Sequence, residues 1–339
     1  YEKAVAYVVA DNHLAELAET DTEQLAELLQ EISEIEDFDI EATGFEMQDI
    51  DEMLEELHPR EIVEDEVPDI PEEPITVRGD VWELGRHRLV CGDSTSKYDV
   101  EILMDGKMAD ICFTSPPYNA GSLNVRGQRG TSKKYNDYDD NKTSDDYTIF
   151  LKNNISCMLP FCTEIFYNIG LVQNNKKEIF RLIYHFENIF KDIIYWKKTT
   201  AAPHIQPGVI NNLVEFIICF GDGKRSFKNA QFSQGTYWNV IEGNGAGNNE
   251  YSVIHKATFP IYLPINIITN FTNETGAVVD CFGGTGTTLI ACEQTNRINY
   301  SMEIDPHYCD VIIQRYVNLT GNTELKRNGE PYTWQAKEK

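Results

Sequence analysis

The chain has 339 residues, 41% of them hydrophobic and 25% charged, a globular balance with length for one large domain or two smaller ones. Its formal net charge of -26 looks hostile to a nucleic-acid partner, but 26 acidic and only 2 basic residues lie in the first 75 positions, so the remainder is nearly neutral. The longest apolar run, Leu213 to Phe220, is broken by Glu215 and is too short to span a bilayer, which excludes a membrane partner at this level.

The chain opens on Tyr1 with no basic and then apolar leader, which points to a piece of a longer, non-secreted protein. Residues 1–57 carry apolar positions at helical spacing (Ala15, Leu17, Leu25, Leu28, Leu29, Ile32), and Asp21 with Gln24 resembles a capping box. Residues 58–76 are acidic and proline-rich and read as a linker, more simply a solvated run than an interaction tail.

From Val77 the texture changes to short apolar runs separated by helical stretches. Strands are predicted at His87–Cys91, Asp110–Thr114, Thr163–Tyr167, Asp192–Trp196, Glu215–Phe220, Ala277–Phe282 and Ile298–Glu303. Helices are predicted at Asp145–Met158, Asn175–Phe186, Pro264–Phe271, Gly286–Gln294 and Pro306–Leu319. This alternation implies an α/β domain over 77–322 with a mostly parallel sheet, followed by a tail at 323–339. Two long polar loops, Ala120–Ser144 and Gly221–Ser252, exceed what a compact domain needs for connection alone. The eight cysteines occur singly, without a CxxC pair or zinc-finger spacing, so reduced thiols in the cytoplasm and no metal are expected.

Three motifs carry chemistry. Asp280-Cys-Phe282-Gly283-Gly284-Thr-Gly286-Thr287-Thr288 runs from a strand through a glycine turn into a helix, where a ligand can approach backbone N–H groups. Leu289 stands where a dinucleotide fingerprint needs its third glycine, and no P-loop lysine follows; the glycines alone would also serve a plain strand-to-helix turn. Glu303 ends the next strand at the distance where such folds hold ribose hydroxyls, whereas Asp305 before Pro306 reads as a helix cap. Thr114-Ser115-Pro116-Pro117-Tyr118-Asn119 follows a strand. Its prolines remove two donors and leave carbonyl acceptors, beside a hydroxyl and a flat ring. Alone, Pro-Pro after a strand would be a rigid turn; beside the glycine turn it describes a tip that can hold a planar amino group.

These residues resemble a known family. Thr114–Asn119 is similar to the catalytic motif of DNA amino-methyltransferases, and Phe282–Gly286 to their cofactor motif, in the order of the beta group. The segments His255–Pro260 and Trp82–Asp93 resemble two further motifs of that family, so the likeness covers roughly 79–320. The resemblance implies a Rossmann-like, circularly permuted fold that binds S-adenosylmethionine through Asp93, Thr114, Phe259, Pro260, Asp280, Phe282, Gly283, Gly284, Gly286, Thr287, Thr288 and Glu303. It implies catalysis by Ser115, Pro116, Pro117 and Tyr118 on a base flipped out of double-stranded DNA, with no metal. Asn119, Arg126, Arg129, Lys133 and Lys134 are the expected DNA contacts, and a homodimer is compatible with the family. Ser115, where many adenine-N6 enzymes have Asp, matches the form common in cytosine-N4 enzymes; adenine N6 is the alternative. Residues 1–57 resemble the helical end of a ParB-like domain that precedes some such enzymes, in a bacterial or phage-type protein. A nicotinamide oxidoreductase fails on Leu289 and on the Pro-Pro tip, and a non-catalytic DNA-binding adaptor would not need Ser115 and Tyr118.

Overall fold

The computed structural model describes residues 62–119, 141–172, 174–199, 212–223, 237–244 and 259–335, with 210, 225, 227 and 228. Contacts divide the chain after Val63, and the unit described below is Glu64–Lys339. The helices expected over 1–57 and the four basic residues Arg126, Arg129, Lys133 and Lys134 lie outside the described residues.

Strands β1 (Val81–Leu84) and β2 (His87–Cys91) form a hairpin, followed by α1 (Lys97–Met104) and β3 (Ala109–Thr114). Then come α2 (Ser144–Met158), β4 (Cys162–Ile169), α3 (Lys176–His185), β5 (Phe190–Lys198), β6 (Val214–Phe220) and β7 (Val240–Gly243). The chain continues through α4 (Tyr262–Phe271), β8 (Ala277–Asp280), α5 (Thr287–Gln294), β9 (Ile298–Glu303), α6 (Pro306–Thr320), β10 (Glu324–Arg327) and β11 (Glu330–Thr333).

Local chemistry sets the helix ends. Ser96 and Thr143 accept from the N–H groups of Asp99 and Asp146, capping α1 and α2. Asp305 caps α6 ahead of Pro306, and Gly321 ends that helix in the left-handed conformation at φ 71°.

The eleven strands among the described residues join one sheet in the order β11-β10-β1-β2-β9-β8-β3-β4-β6-β5-β7. The middle five, β2, β9, β8, β3 and β4, are parallel, and β6 is antiparallel to both β4 and β5. The strand leading to the glycine turn, β8, thus sits mid-sheet although it comes late in the chain, which is the permuted arrangement expected. Alternating residues supply the two cores: Ile111 and Phe113 of β3 face the layer of α4, α5 and α6, while Cys112 between them faces the layer of α1, α2 and α3. None of the eight cysteines forms a disulfide, and no helix among the described residues is long and apolar enough to cross a membrane.

Two stretches carry more structure than their polarity indicated. Within the stretch read as a tail, β10 and β11 form a hairpin around Asn328 and Gly329, both at positive φ, and β10 pairs with β1. That turn needs two left-handed residues, which Asn-Gly supplies at little strain. Within the loop Gly221–Ser252, β7 adds a parallel edge strand beside β5.

Residues 64–76, inside the acidic segment, bind the domain through their side chains and backbone. Asp65 accepts two 2.6 Å bonds from Arg315, whose side chain is only 1% exposed. Arg315 also donates to the Thr285 carbonyl and the Thr287 hydroxyl of the glycine turn. Glu64 accepts from the Ile261 N–H, and Asp310 accepts from the N–H groups of Ile75 and Thr76. Removing Asp65 would leave a buried guanidinium short of its counter-ion. Asp65→Ala should therefore cost about 3 kcal/mol of stability and Asp65→Asn less, as read by thermal or urea unfolding.

Candidate active site at the carboxyl edge of the parallel strands

Parallel strands send all their carboxyl ends to one edge, and ligands bind there where the connections diverge. At this edge Gly92-Asp93 follows β2, Thr114 ends β3 with Ser115–Asn119 after it, Asn168 lies at the end of β4 with Gly170 just beyond, Cys281–Gly286 follows β8, and Glu303 ends β9. One buried contact joins the two motifs. The Thr114 hydroxyl donates to Asp280 Oδ1 at 2.7 Å and accepts from the Cys281 N–H at 3.1 Å.

The glycine turn is held from two sides. Glu303 Oε2 accepts from the Gly284 N–H at 2.7 Å, and its Oε1 accepts from Ile304 and Asp305 N–H groups at 2.8 and 3.0 Å. Three bonds on a carboxylate that can take about four leave one acceptor position for a hydroxyl. Gly284 has φ +53°, and a Cβ there would meet nothing nearer than the Phe282 carbonyl at 3.9 Å, so that face of the turn is open. Gly286, at φ +86°, is different: a Cβ would press on Ile312 at 3.1 Å. Its glycine is required by packing and backbone strain rather than by ligand approach.

Burial acts on both carboxylates of this half. It pushes Asp280 up to about 6 despite the hydrogen bonds from the Thr114 hydroxyl and the Phe282 N–H. It pushes Glu303 up to about 7 despite its three backbone donors. Asp93 holds its own loop, accepting from the N–H and hydroxyl of Thr95 at 2.8 and 2.7 Å. Phe282 packs near Phe150 (5.7 Å between rings) and Phe259 sits edge-on to Phe113 (5.6 Å), with Pro260 next to it and Thr287 bonded to Arg315.

The catalytic half is a polar cluster on a rigid tip. The Tyr118 hydroxyl donates to Glu215 Oε2 at 2.7 Å and lies 3.3 Å from Ser115 Oγ. The buried Asn168 amide donates to both oxygens, at 3.3 Å to Ser115 and 3.2 Å to Tyr118. Lys198 pairs with the other oxygen of Glu215. Gly170 makes room for the ring, since a Cβ there would sit 2.9 Å from Tyr118 Cε2. Asn175 donates to the Tyr118 carbonyl at 2.9 Å, and Tyr147 donates to the Pro117 carbonyl at 2.8 Å. Among the described residues nothing donates to the Pro116 carbonyl.

The structure thus places the residues expected at the cofactor and at the catalytic tip along one edge and changes the role of two, Gly286 and Asn119. Asn119, expected at DNA, is 1% exposed at φ 57°, and its amide bonds the backbone of Lys142 and Asn174. It fixes the start of the long loop. Asn168, Gly170, Lys198 and Glu215 were not anticipated. Glu215 left the one available trace, an acid inside an otherwise apolar strand.

A glycine turn and a Ser-Pro-Pro-Tyr tip flanking the central pair of a Rossmann-like sheet define a group-transfer enzyme with a nucleotide-type cofactor site. The DNA methylase model of the N6 and N4 methyltransferases matches residues 109–315, more than half of the chain, and the chain belongs to that family. A ParB-methyltransferase HTH domain matches residues 23–78, in keeping with the ParB-like resemblance. No curated protein matches. Among solved structures, PvuII DNA methyltransferase (cytosine-N4-specific) is similar with TM-score 0.53 and 18% identity, over 68% of this chain and 86% of that one. The M1.HpyAVI-SAM complex is similar with TM-score 0.45 and 17% identity, over 67% of this chain and 98% of that one.

The raised carboxyl of Glu303 gives a stability signature. Its folded value of about 7 lies above the unfolded 4.5, so its favourable contribution is full below about pH 4.5 and is lost as pH rises through about 7. Glu303→Gln should match wild type at low pH and become relatively more stable above pH 7. Thermal midpoints of both proteins between pH 4.5 and 8 check the difference.

Proposed function

We propose that this DNA methyltransferase places a methyl group on the exocyclic amino nitrogen of a flipped base in duplex DNA, cytosine N4 in particular, with S-adenosylmethionine as the donor. The observation carrying the proposal is the neutral Ser115 hydroxyl, next to the Pro116 carbonyl on the tip that leaves β3, the neighbour of the strand leading to the glycine turn. Two acceptors at that spot suit the two hydrogens of an amino group, and they draw the nitrogen lone pair out of conjugation with the ring. The base must leave the duplex because its amino group is otherwise paired.

The donor set fits the cofactor. The open face of Gly284 admits an adenosine close to the backbone, the spare acceptor of Glu303 suits a ribose hydroxyl, and the half-buried Phe282 offers a flat apolar wall. The α5 N-terminus favours the carboxylate of the methionine end. Bound there, S-adenosylmethionine supplies an electrophilic methyl group on a sulfonium, with the C–S electron pair left on sulfur. The protein's own work is placement: the Ser115 and Pro116 acceptors orient the nitrogen while the Tyr118 ring, clamped by its hydroxyl, offers a face to the extruded base.

The cytosine assignment rests on Ser115, which brings no carboxylate charge to the amino group, and on Ala257-Thr-Phe-Pro260 in place of the segment common in adenine enzymes. The basic residues Arg126, Arg129, Lys133 and Lys134 are candidates for additional DNA contact, whereas the acidic upstream segment would repel phosphates.

Nucleosides from DNA treated with the protein should contain N4-methylcytosine by mass spectrometry. N6-methyladenine alone would move the assignment to adenine, and 5-methylcytosine would refute amino transfer. Ser115→Ala should slow transfer about tenfold to a hundredfold while leaving cofactor affinity unchanged by calorimetry. If Glu303 holds the ribose, cofactor affinity should rise as pH is raised through about 7, because the ionised carboxylate is the better acceptor. Glu303→Gln should flatten that slope in the same titration.

A further inference from the structure

An amino nitrogen that accepts a methyl group becomes cationic and must lose a proton, and an ordinary serine hydroxyl is a poor place to leave one. The structure offers a path away from it. Tyr118 spends its only hydroxyl hydrogen on Glu215, so the Ser115–Tyr118 contact runs with Ser115 as donor. Asn168 donates to both oxygens, which fixes them as acceptors and leaves Ser115 Oγ one lone pair for the base. Every hydrogen in the chain therefore points the same way, from the base edge towards Glu215.

We propose that Glu215 is the terminal proton acceptor of the transfer reaction, reached through Ser115 and Tyr118. The inference rests on the amino-transfer reading above. As the N–C bond forms, one amino proton passes to Ser115 Oγ, the Ser115 proton to Tyr118 Oη, and the Tyr118 proton to Glu215 Oε2. Glu215 ends neutral, Ser115 and Tyr118 are regenerated, and no oxidant or further co-reactant is required. Burial and the neighbouring Glu215 charge hold the Tyr118 phenol well above its usual range, so it relays a proton without resting as a phenolate. The Glu215 side chain is 15% exposed, which gives the proton a way out to solvent.

The groups facing Glu215 are consistent with this role. Lys198 on β5 pairs with it and holds its charge in place, Tyr118 approaches from the tip, and Tyr262 on α4 lies within its field. Gly170, immediately after β4, lets carboxylate and ring meet, because a Cβ would come within 3.4 Å of Glu215 Cδ as well as of the ring. A purely structural clamp for Tyr118 could use any acceptor. That difference separates the two roles experimentally.

Glu215→Gln keeps an acceptor for the Tyr118 hydroxyl but cannot take a proton. With unmethylated bacteriophage DNA, labelled S-adenosylmethionine and enzyme in excess, its single-turnover rate should fall about a hundredfold. The decline of the wild-type rate on the acid side should be absent in the variant, while cofactor affinity stays the same. A second readout needs no turnover. With tyrosine labelled at Cζ, the Tyr118 resonance, assigned by its loss in Tyr118→Phe, should follow pH in the wild type and should not in Glu215→Gln. A Glu215→Gln variant with wild-type rate and pH profile would overturn the relay, and so would slowing confined to Glu215→Ala, which would leave Glu215 only a clamp. A wild-type protein that methylates carbon 5 of cytosine instead would defeat the parent reading, and the resonance titration would still report on the Tyr118–Glu215 link.

Discussion

The site depends on one buried hydroxyl. Thr114 ends β3, yet its side chain belongs to β8, giving a hydrogen bond to Asp280 and taking one from Cys281. The chain reaches these strands 166 residues apart, and the catalytic tip and the cofactor turn each leave the sheet from this pair. Both motifs would keep their local conformations if they were a few ångströms further apart. In-line transfer does not tolerate such a gap, because alignment of the reacting atoms supplies much of the rate. Sheet pairing sets the spacing coarsely, and the Thr114 contact sets it at the edge where chemistry occurs.

Around that contact the two halves use opposite electrostatic strategies. The cofactor half buries two carboxylates, Asp280 and Glu303, against backbone donors, so both ionise late and stiffen the turn. The Ser-Pro-Pro-Tyr half keeps neutral groups together at the tip, Ser115, Asn168 and Tyr118, with the charge pair Glu215–Lys198 behind them. The Glu215 charge, set one residue further back, reaches the tip only through the hydroxyls of Tyr118 and Ser115. The stability lost by burying Glu303 is that of a site poised for a ligand rather than for the empty fold.

Much of this was legible in the sequence because it lies in short, local patterns. The seven predicted strands and five predicted helices all occur, most within two residues of their ends, since apolar runs of strand length and helix caps are read over a few positions. The Ser-Pro-Pro-Tyr and Phe-Gly-Gly-Thr-Gly motifs likewise sit within single turns. What was missed depends on distant pairing. β10 and β11 are short and largely polar, and only the Asn328-Gly329 turn announces them, a signal that reading the end as a tail passed over; β1 is apolar but only four residues long. Glu215 and Asn168 acquire their roles from residues about 50 to 100 positions away, beyond any local pattern. Asn119 shows the opposite failing: its place beside the motif suggested contact with a partner, while its left-handed backbone put it to use inside the loop.

The acidic stretch 64–76 bears on how such a protein could be assembled from parts. By composition, the natural joint lies near residue 77, where the proline-rich run stops. A gene fusion made there would import a methyltransferase without the carboxylate that neutralises Arg315, and with it a slack cofactor turn. The workable joint lies before Glu64, so the acids at 64 and 65 travel with the catalytic domain even though they look like connector. Shuffling of upstream modules among enzymes of this kind would then leave a short acidic scar of constant spacing ahead of the first strand.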